Sequence, residues 1–378
     1  MALEEHRRRG KPLIDLTNSN PTTCGFRYPE ERLFAALNDR RALKYEPESQ
    51  GLRPAREAVA DYYRGRAGFF GSGPSLDPAR VMITSGTSEA YSFIFRLLCE
   101  TADEVLVPAP SYPLFEYLAD LADVRPVSYP LVYEDGWSID FGGLFAALST
   151  RSKAVMLVHP NNPTGSFIKR EEAQRLAEIC ARRDLAIIAD EVFLDYADTA
   201  EQPCSFAFES PVLTFTLSGL SKISLLPQMK LAWIVSSGPA GLVEGAVQRL
   251  EVIGDTYLSP STPGQLALPE MLAMRGNLQT QMRQRLCANL GFLDQLLQQR
   301  GAVDRLRRGG GWYAVLRVPA TGSDEDLAIK LLEECGVLVH PGHFFDFPRD
   351  GFVIVSLIVR EADFQEGLRR LQGFFRNR

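Results

Sequence analysis

The residues best equipped for chemistry fall immediately after short apolar runs. Val81 to Thr84 leads into Ser85-Gly86-Thr87-Ser88-Glu89-Ala90, and Val105 to Val107 into Pro108-Ala109-Pro110-Ser111-Tyr112-Pro113. Ala154 to Val158 leads into His159-Pro160-Asn161-Asn162-Pro163-Thr164-Gly165. Ala186 to Ala189 ends in Asp190-Glu191, and Leu213 to Leu217 in Ser218-Gly219-Leu220-Ser221-Lys222. Open α/β sheets bind ligands outside the carboxyl ends of their strands. One edge therefore collects a small-residue helix start, an aromatic, an amide, a carboxylate and a lysine. Small residues opening a helix offer free N–H groups and the helix dipole to an anion, although the same run also serves as an ordinary cap. Lysines are sparse, and Lys222 is the one placed to enter a cleft.

Together these groups describe a site for an aromatic phosphate with a basic ring nitrogen and an electrophilic carbon. The carboxylate would keep the ring nitrogen protonated, and the lysine, its pKa lowered by desolvation, would form a Schiff base. That is the chemistry of pyridoxal 5′-phosphate (PLP).

The elements that must position these residues follow one rhythm. From about residue 80 to 235, apolar runs alternate with amphipathic stretches, as in βαβ units around a mostly parallel central sheet flanked by helices. In the segment 169–183, Ala173, Leu176, Ala177 and Cys180 mark one buried helical face. Uniformly apolar strands imply cover on both sides. Beyond Arg275 the texture changes. A long helix is expected to Arg300 with Gly301 as its stop, then strands Tyr313–Val318 and Phe352–Val359 with a helix Asp324–Cys335 between them. This divides the chain into an N-terminal segment (1–39) packing with a smaller α+β domain (276–378), and a large α/β domain (40–275) carrying the site.

Composition excludes other classes. The 378-residue chain carries a net charge of -6, which argues against nucleic acid as a partner. No apolar stretch approaches the ~20 residues of a membrane span, and the first residues lack a secretory apolar core. The six cysteines are scattered without a CxxC pair, as expected of core thiols in a reducing cytoplasm. His340 and His343 form an HxxH without further ligands at metal spacing, so no metal site is expected.

The motifs PSYPLFEY, HPNNPTG, DEV at 190–192 and SK at 221–222, in this order, resemble the class I/II aminotransferases, the fold-type I PLP enzymes. The resemblance implies that Lys222 is the Schiff-base lysine and general acid/base. It implies that Asp190 partners the pyridine nitrogen, that Asn162 bonds the phenolic oxygen, and that Tyr112 stacks on the ring. Gly86, Thr87 and Ser221 fall in phosphate-binding segments. Tyr45 matches a tyrosine that reaches the phosphate of a neighbouring subunit, implying a homodimer with shared active sites. Substrates would be an amino acid and a 2-oxo acid.

Three positions depart from that pattern. Lys230 stands where the resemblance expects a phosphate-binding arginine, and supplies charge without the two-pronged donor geometry. Phe193 replaces a tyrosine that would donate to the phenolic oxygen. Losing such a bond, about 0.5–1.5 kcal/mol, should raise the pKa of the imine. Ile354 occupies the position of the substrate-carboxylate arginine. Arg360 lies about 20 Å along the strand if that strand continues, which leaves Arg27 as the candidate replacement. Trp312, Tyr313 and His343 are candidate pocket residues, or ordinary core aromatics. Transamination is the leading expectation. A PLP-dependent lyase or decarboxylase on the same scaffold stays open beside it, and a ligand-sensing PLP domain is a third reading.

Overall fold

The computed structural model describes residues 2–71, 75–198, 203–258, 260–298 and 302–376. Eight strands form the main sheet: β1 Val81–Thr84, β2 Glu104–Ala109, β3 Arg125–Tyr133, β4 Trp137–Ile139, β5 Ser152–Val158, β6 Ala186–Asp190, β7 Thr214–Gly219 and β8 Ala232–Ser237. Their spatial order is β1-β8-β7-β6-β5-β2-β3-β4. The pairs from β7 through β3 are parallel, whereas β8 runs antiparallel to both neighbours and β4 antiparallel to β3. The sheet is thus mostly parallel, as the repeating strand–helix rhythm demands.

Alternation along each strand explains why the apolar runs are unbroken. On β6, Ala186 and Ile188 pack into the core beneath helix Thr87–Leu98, which contributes Tyr91, Phe93 and Phe95. Ile187 and Ala189 enter the opposite core with Leu176 and Cys180 of helix Arg170–Arg183. Each strand is buried on two faces, so polar residues accumulate only at its ends. Asp190 continues the Ile188 face, toward Tyr91.

The C-terminal part builds a four-stranded antiparallel sheet from β9 Asp304–Arg305, β10 Tyr313–Arg317, β11 His340–Pro341 and β12 Phe352–Ser356, in the order β9-β10-β12-β11. The N-terminal segment is tied to this region. Ile14–Asp15 pairs in parallel with Val337–Leu338, and the Ser356 N–H donates to Leu16 O at 2.7 Å. Helix Arg275–Leu297 packs Leu278, Met282, Leu286 and Leu293 into the same core. Helix Asp324–Cys335 has the expected bounds. The expected stop at Gly301 lies outside the described residues.

One expectation fails. The last strand ends at Ser356 rather than Val359: after a final rung from the Leu357 N–H to Trp312 O at 2.8 Å, the carbonyls of Leu357, Ile358 and Val359 accept from Asn289 and Arg285 of helix Arg275–Leu297 in place of a neighbouring strand. Arg360 therefore does not extend the face of Ile354. It lies instead beside Gly25, where a Cβ added to the glycine would meet Arg360 Nε at 3.3 Å.

Candidate active site

A cavity of about 260 Å³ opens at the carboxyl ends of β5, β6 and β7. Its lining includes Thr87, Tyr112, Asn162, Asp190, Ser221 and Lys222, six of the residues singled out by motif. Lys222 sits in the short helix Leu220–Ile223 that follows β7 directly. Gly219 makes this junction possible: a Cβ there would come within 2.8 Å of the Ala232 Cβ on β8. Lys222 is half-buried and lines the cavity. Its Nζ is 4.9 Å from the ring centre of Trp312 and 5.5 Å from that of Phe193. Desolvation lowers its pKa to about 8, opposed by the charge of Asp190. A lysine held near neutrality is the nucleophile that imine chemistry requires.

The backbone beneath Lys222 is fixed. The Tyr196 hydroxyl donates to Lys222 O at 2.6 Å, and Gln279 Nε2 donates to Ile223 O at 3.0 Å. Asp190 is equally constrained. Tyr91 donates its hydroxyl to Oδ2 at 2.8 Å and the Val192 N–H donates to Oδ1 at 3.0 Å. Burial raises the carboxyl pKa while these donors and Lys222 lower it. Nothing in the sequence pattern of helix Thr87–Leu98 singled out Tyr91, which has the look of a core aromatic.

The two asparagines of HPNNPTG divide their work. Asn161 is consumed by structure, accepting from Ser111 Oγ at 2.9 Å and donating to Pro110 O and Thr164 Oγ1. Asn162 faces the cavity, and its buried Oδ1 has no hydrogen-bond partner. At the far end, Lys230 adopts a left-handed conformation with φ 51°. Its Nζ stands 3.7 Å from where a Gly86 Cβ would be, bringing the ammonium to the start of helix Thr87–Leu98. Tyr112 reaches the cavity edge-on to Phe115, ring centres 5.9 Å apart.

Other candidates stand apart. Tyr45 is 74% exposed and is not among the lining residues. His343 and Arg27 are exposed, with the Arg27 N–H bonded to Gln281. Tyr313 lines the cavity, whereas Trp312 touches it through Lys222. Ile354 is fully buried. Ser19, absent from the motif-based set, also lines the cavity together with Tyr313. Its run of turn-forming residues, Asn18 to Thr23, was the one signal that this segment has a fixed shape.

These residues fit PLP. A buried asparagine, a clamped carboxylate and a desolvated lysine share one cavity, and a second lysine stands outside its lining at the start of helix Thr87–Leu98. Fold and site define a fold-type I PLP enzyme. Comparison narrows the class. The sequence family described as aminotransferase class I and II matches residues 11–371. The glutamate-pyruvate aminotransferase AlaA of Haemophilus influenzae is 28% identical, covering 94% of this chain and 88% of its own. The alanine aminotransferase of Mycobacterium tuberculosis is 26% identical, covering 97% and 86%. An aminotransferase from Escherichia coli superposes with a TM-score of 0.87 at 25% identity, covering 99% of this chain and 94% of its own. The chain belongs to the class I and II aminotransferases. It is a PLP-dependent enzyme that exchanges an amino group between an amino acid and a 2-oxo acid.

Proposed function

We propose that Lys222 is the amine that holds the cofactor aldehyde and, once displaced by the donor, the base that takes the donor's α-proton and returns it to the cofactor side. PLP, when bound, supplies the electron sink for the charge left on the α-carbon. Asp190, oriented by Tyr91 and Val192, holds the pyridine nitrogen protonated. Asn162 donates through its amide to the phenolic oxygen. Tyr112 covers one ring face. Gly86, Thr87, Ser221 and Lys230 receive the phosphate, which the helix start favours electrostatically. The observation that carries this reading is the juxtaposition of Lys222, Asp190 and Asn162 in the lining of one cavity.

The second half of the proposal is a homodimer with shared sites. Tyr45 is exposed, and Leu43 two residues before it is 88% exposed. A second copy would cover it and bring Tyr45 to the neighbouring phosphate. Scattered thiols, with Cys24 and Cys180 buried and unpaired, support a cytoplasmic setting. The relatives act, by name, on alanine, glutamate and pyruvate, so L-alanine and L-glutamate are the first donors to test. Borohydride treatment of the PLP-loaded protein followed by peptide mapping should place the label on Lys222. A label on another residue, or none, would overturn the assignment.

A further inference from the structure

The cavity contains an asymmetry in charge. Among its described lining residues Lys222 is the only cation, and Lys222 is committed to the amino group. Yet the substrate is an amino acid and brings a carboxylate. The face of the small sheet that approaches the cavity is set by register: Tyr313 lies opposite Ser356, and Val315 opposite Ile354, so these four side chains share one face. Tyr313 reaches the cavity, while Ile354 stands two residues along from Ser356, fully buried. A guanidinium at 354 would rise on this face. This chain places a hydrocarbon there instead.

The arginines that could replace such a guanidinium, Arg285, Arg360 and Arg27, are not among the lining residues. Arg285 donates to the carbonyls of Cys24, Ile358 and Val359 and lies 3.6 Å from Glu361. Arg360 lies against Gly25, and Arg27 is exposed. What the cavity offers in their place is a pair of hydroxyls. Burial pushes the Tyr313 phenol up to about 12, so it remains a neutral donor. Ser19 lines the same cavity. Its position is locked by the turn around it. Asn18 Oδ1 accepts from the Asn20 N–H at 3.0 Å, Asn20 Oδ1 accepts from the Thr22 N–H at 3.1 Å, and Asn18 Nδ2 donates to Thr23 Oγ1 at 3.0 Å. A short polar side chain held this way needs no long flexible stem to be ordered.

We infer that Ser19 and Tyr313 bind the substrate carboxylate through neutral hydroxyl donors, with no guanidinium among the described residues serving that purpose. The inference rests on the PLP reading given above and deepens it. Its consequence is a relaxed demand for charge. Neutral donors serve a carboxylate and an uncharged carbonyl with similar geometry, whereas a bidentate arginine rewards only the anion.

The test uses the PLP-loaded protein and two probes of matched shape, L-alanine and L-alaninamide. Dissociation constants are read from saturation of the change in cofactor absorbance rather than from turnover. The wild type should bind the two within about tenfold of each other. Ser19→Ala and Tyr313→Phe should each weaken L-alanine by about ten- to hundredfold, the range for a hydrogen bond to a charged group, and L-alaninamide by less. Ile354→Arg should restore a strong preference for L-alanine. If that variant does not fold, the two hydroxyl variants still decide. A wild-type preference for L-alanine above about a hundredfold, unmoved by Ser19→Ala and Tyr313→Phe, would overturn the inference by showing a cation brought from elsewhere. A wild-type protein that shows no cofactor label on Lys222 overturns the PLP reading itself. A labelled protein whose affinities ignore both hydroxyl variants overturns this inference alone.

Discussion

The two walls of the cavity differ in kind. The wall at the ends of β5, β6 and β7 is braced from behind: Asp190, Asn161 and the backbone of Lys222 all have partners from neighbouring elements. The facing wall, contributed by the N-terminal segment and the small sheet, holds Ser19 and Tyr313 and places Ile354 in its interior. Chemistry common to all substrates belongs to the first wall, and choice among substrates belongs to the second. Substitutions on the first should therefore alter every substrate alike, and those on the second should alter their ranking.

The largest effect belongs to Lys222→Ala, which removes both the covalent tether and the general base. Turnover should fall by at least about 10⁴-fold for alanine and glutamate equally, measured by coupled assay. A loss restricted to one substrate would break the division between walls. Asp190→Asn should lower turnover by roughly ten- to hundredfold, from the loss of a charged hydrogen-bond partner. The same variant carries a pH signature. Capture of PLP by the cofactor-free protein requires a neutral Lys222 amine, so its rate should rise with pH through about 8 and level off above. Asp190 favours the ammonium, so its neutralisation should move that midpoint downward, as read by rapid-mixing absorbance.

Tyr91→Phe takes one donor from Asp190 and leaves the Val192 N–H, so cofactor affinity should weaken by about three- to tenfold, measured by equilibrium dialysis. Phe193→Tyr should act most gently. The added hydroxyl stabilises the deprotonated chromophore and should lower the pH midpoint of its long-wavelength band by roughly half to one unit. An unchanged or raised midpoint would show that residue 193 does not face the phenolic oxygen.

The first wall was legible in the sequence because strand ends concentrate function. Asp190, Asn162 and Lys222 each follow an apolar run whose burial on two faces dictates where the chain must stop. The second wall was not. Ser19 sits in a turn whose bonds are local, and its meeting with Tyr313 depends on a parallel pairing between Ile14–Asp15 and Val337–Leu338, more than three hundred residues apart. The supposed reach of the last strand to Arg360 failed for a related reason. Leu357 and Ile358 are as apolar as the strand before them, but past Ser356 the backbone carbonyls are bonded by Asn289 and Arg285 side chains and not by a strand. Hydrophobicity marks burial, and does not by itself mark direction. Tyr91 escaped notice because a buried tyrosine reads as packing until its hydroxyl is seen to have an acceptor.

The bonds from Tyr196 and Gln279 to the carbonyls of Lys222 and Ile223 have a further consequence. They immobilise the root of the side chain while leaving its methylene stem to rotate. In the role proposed for Lys222, its amine would leave and return by side-chain rotation alone, an intramolecular step at high effective molarity.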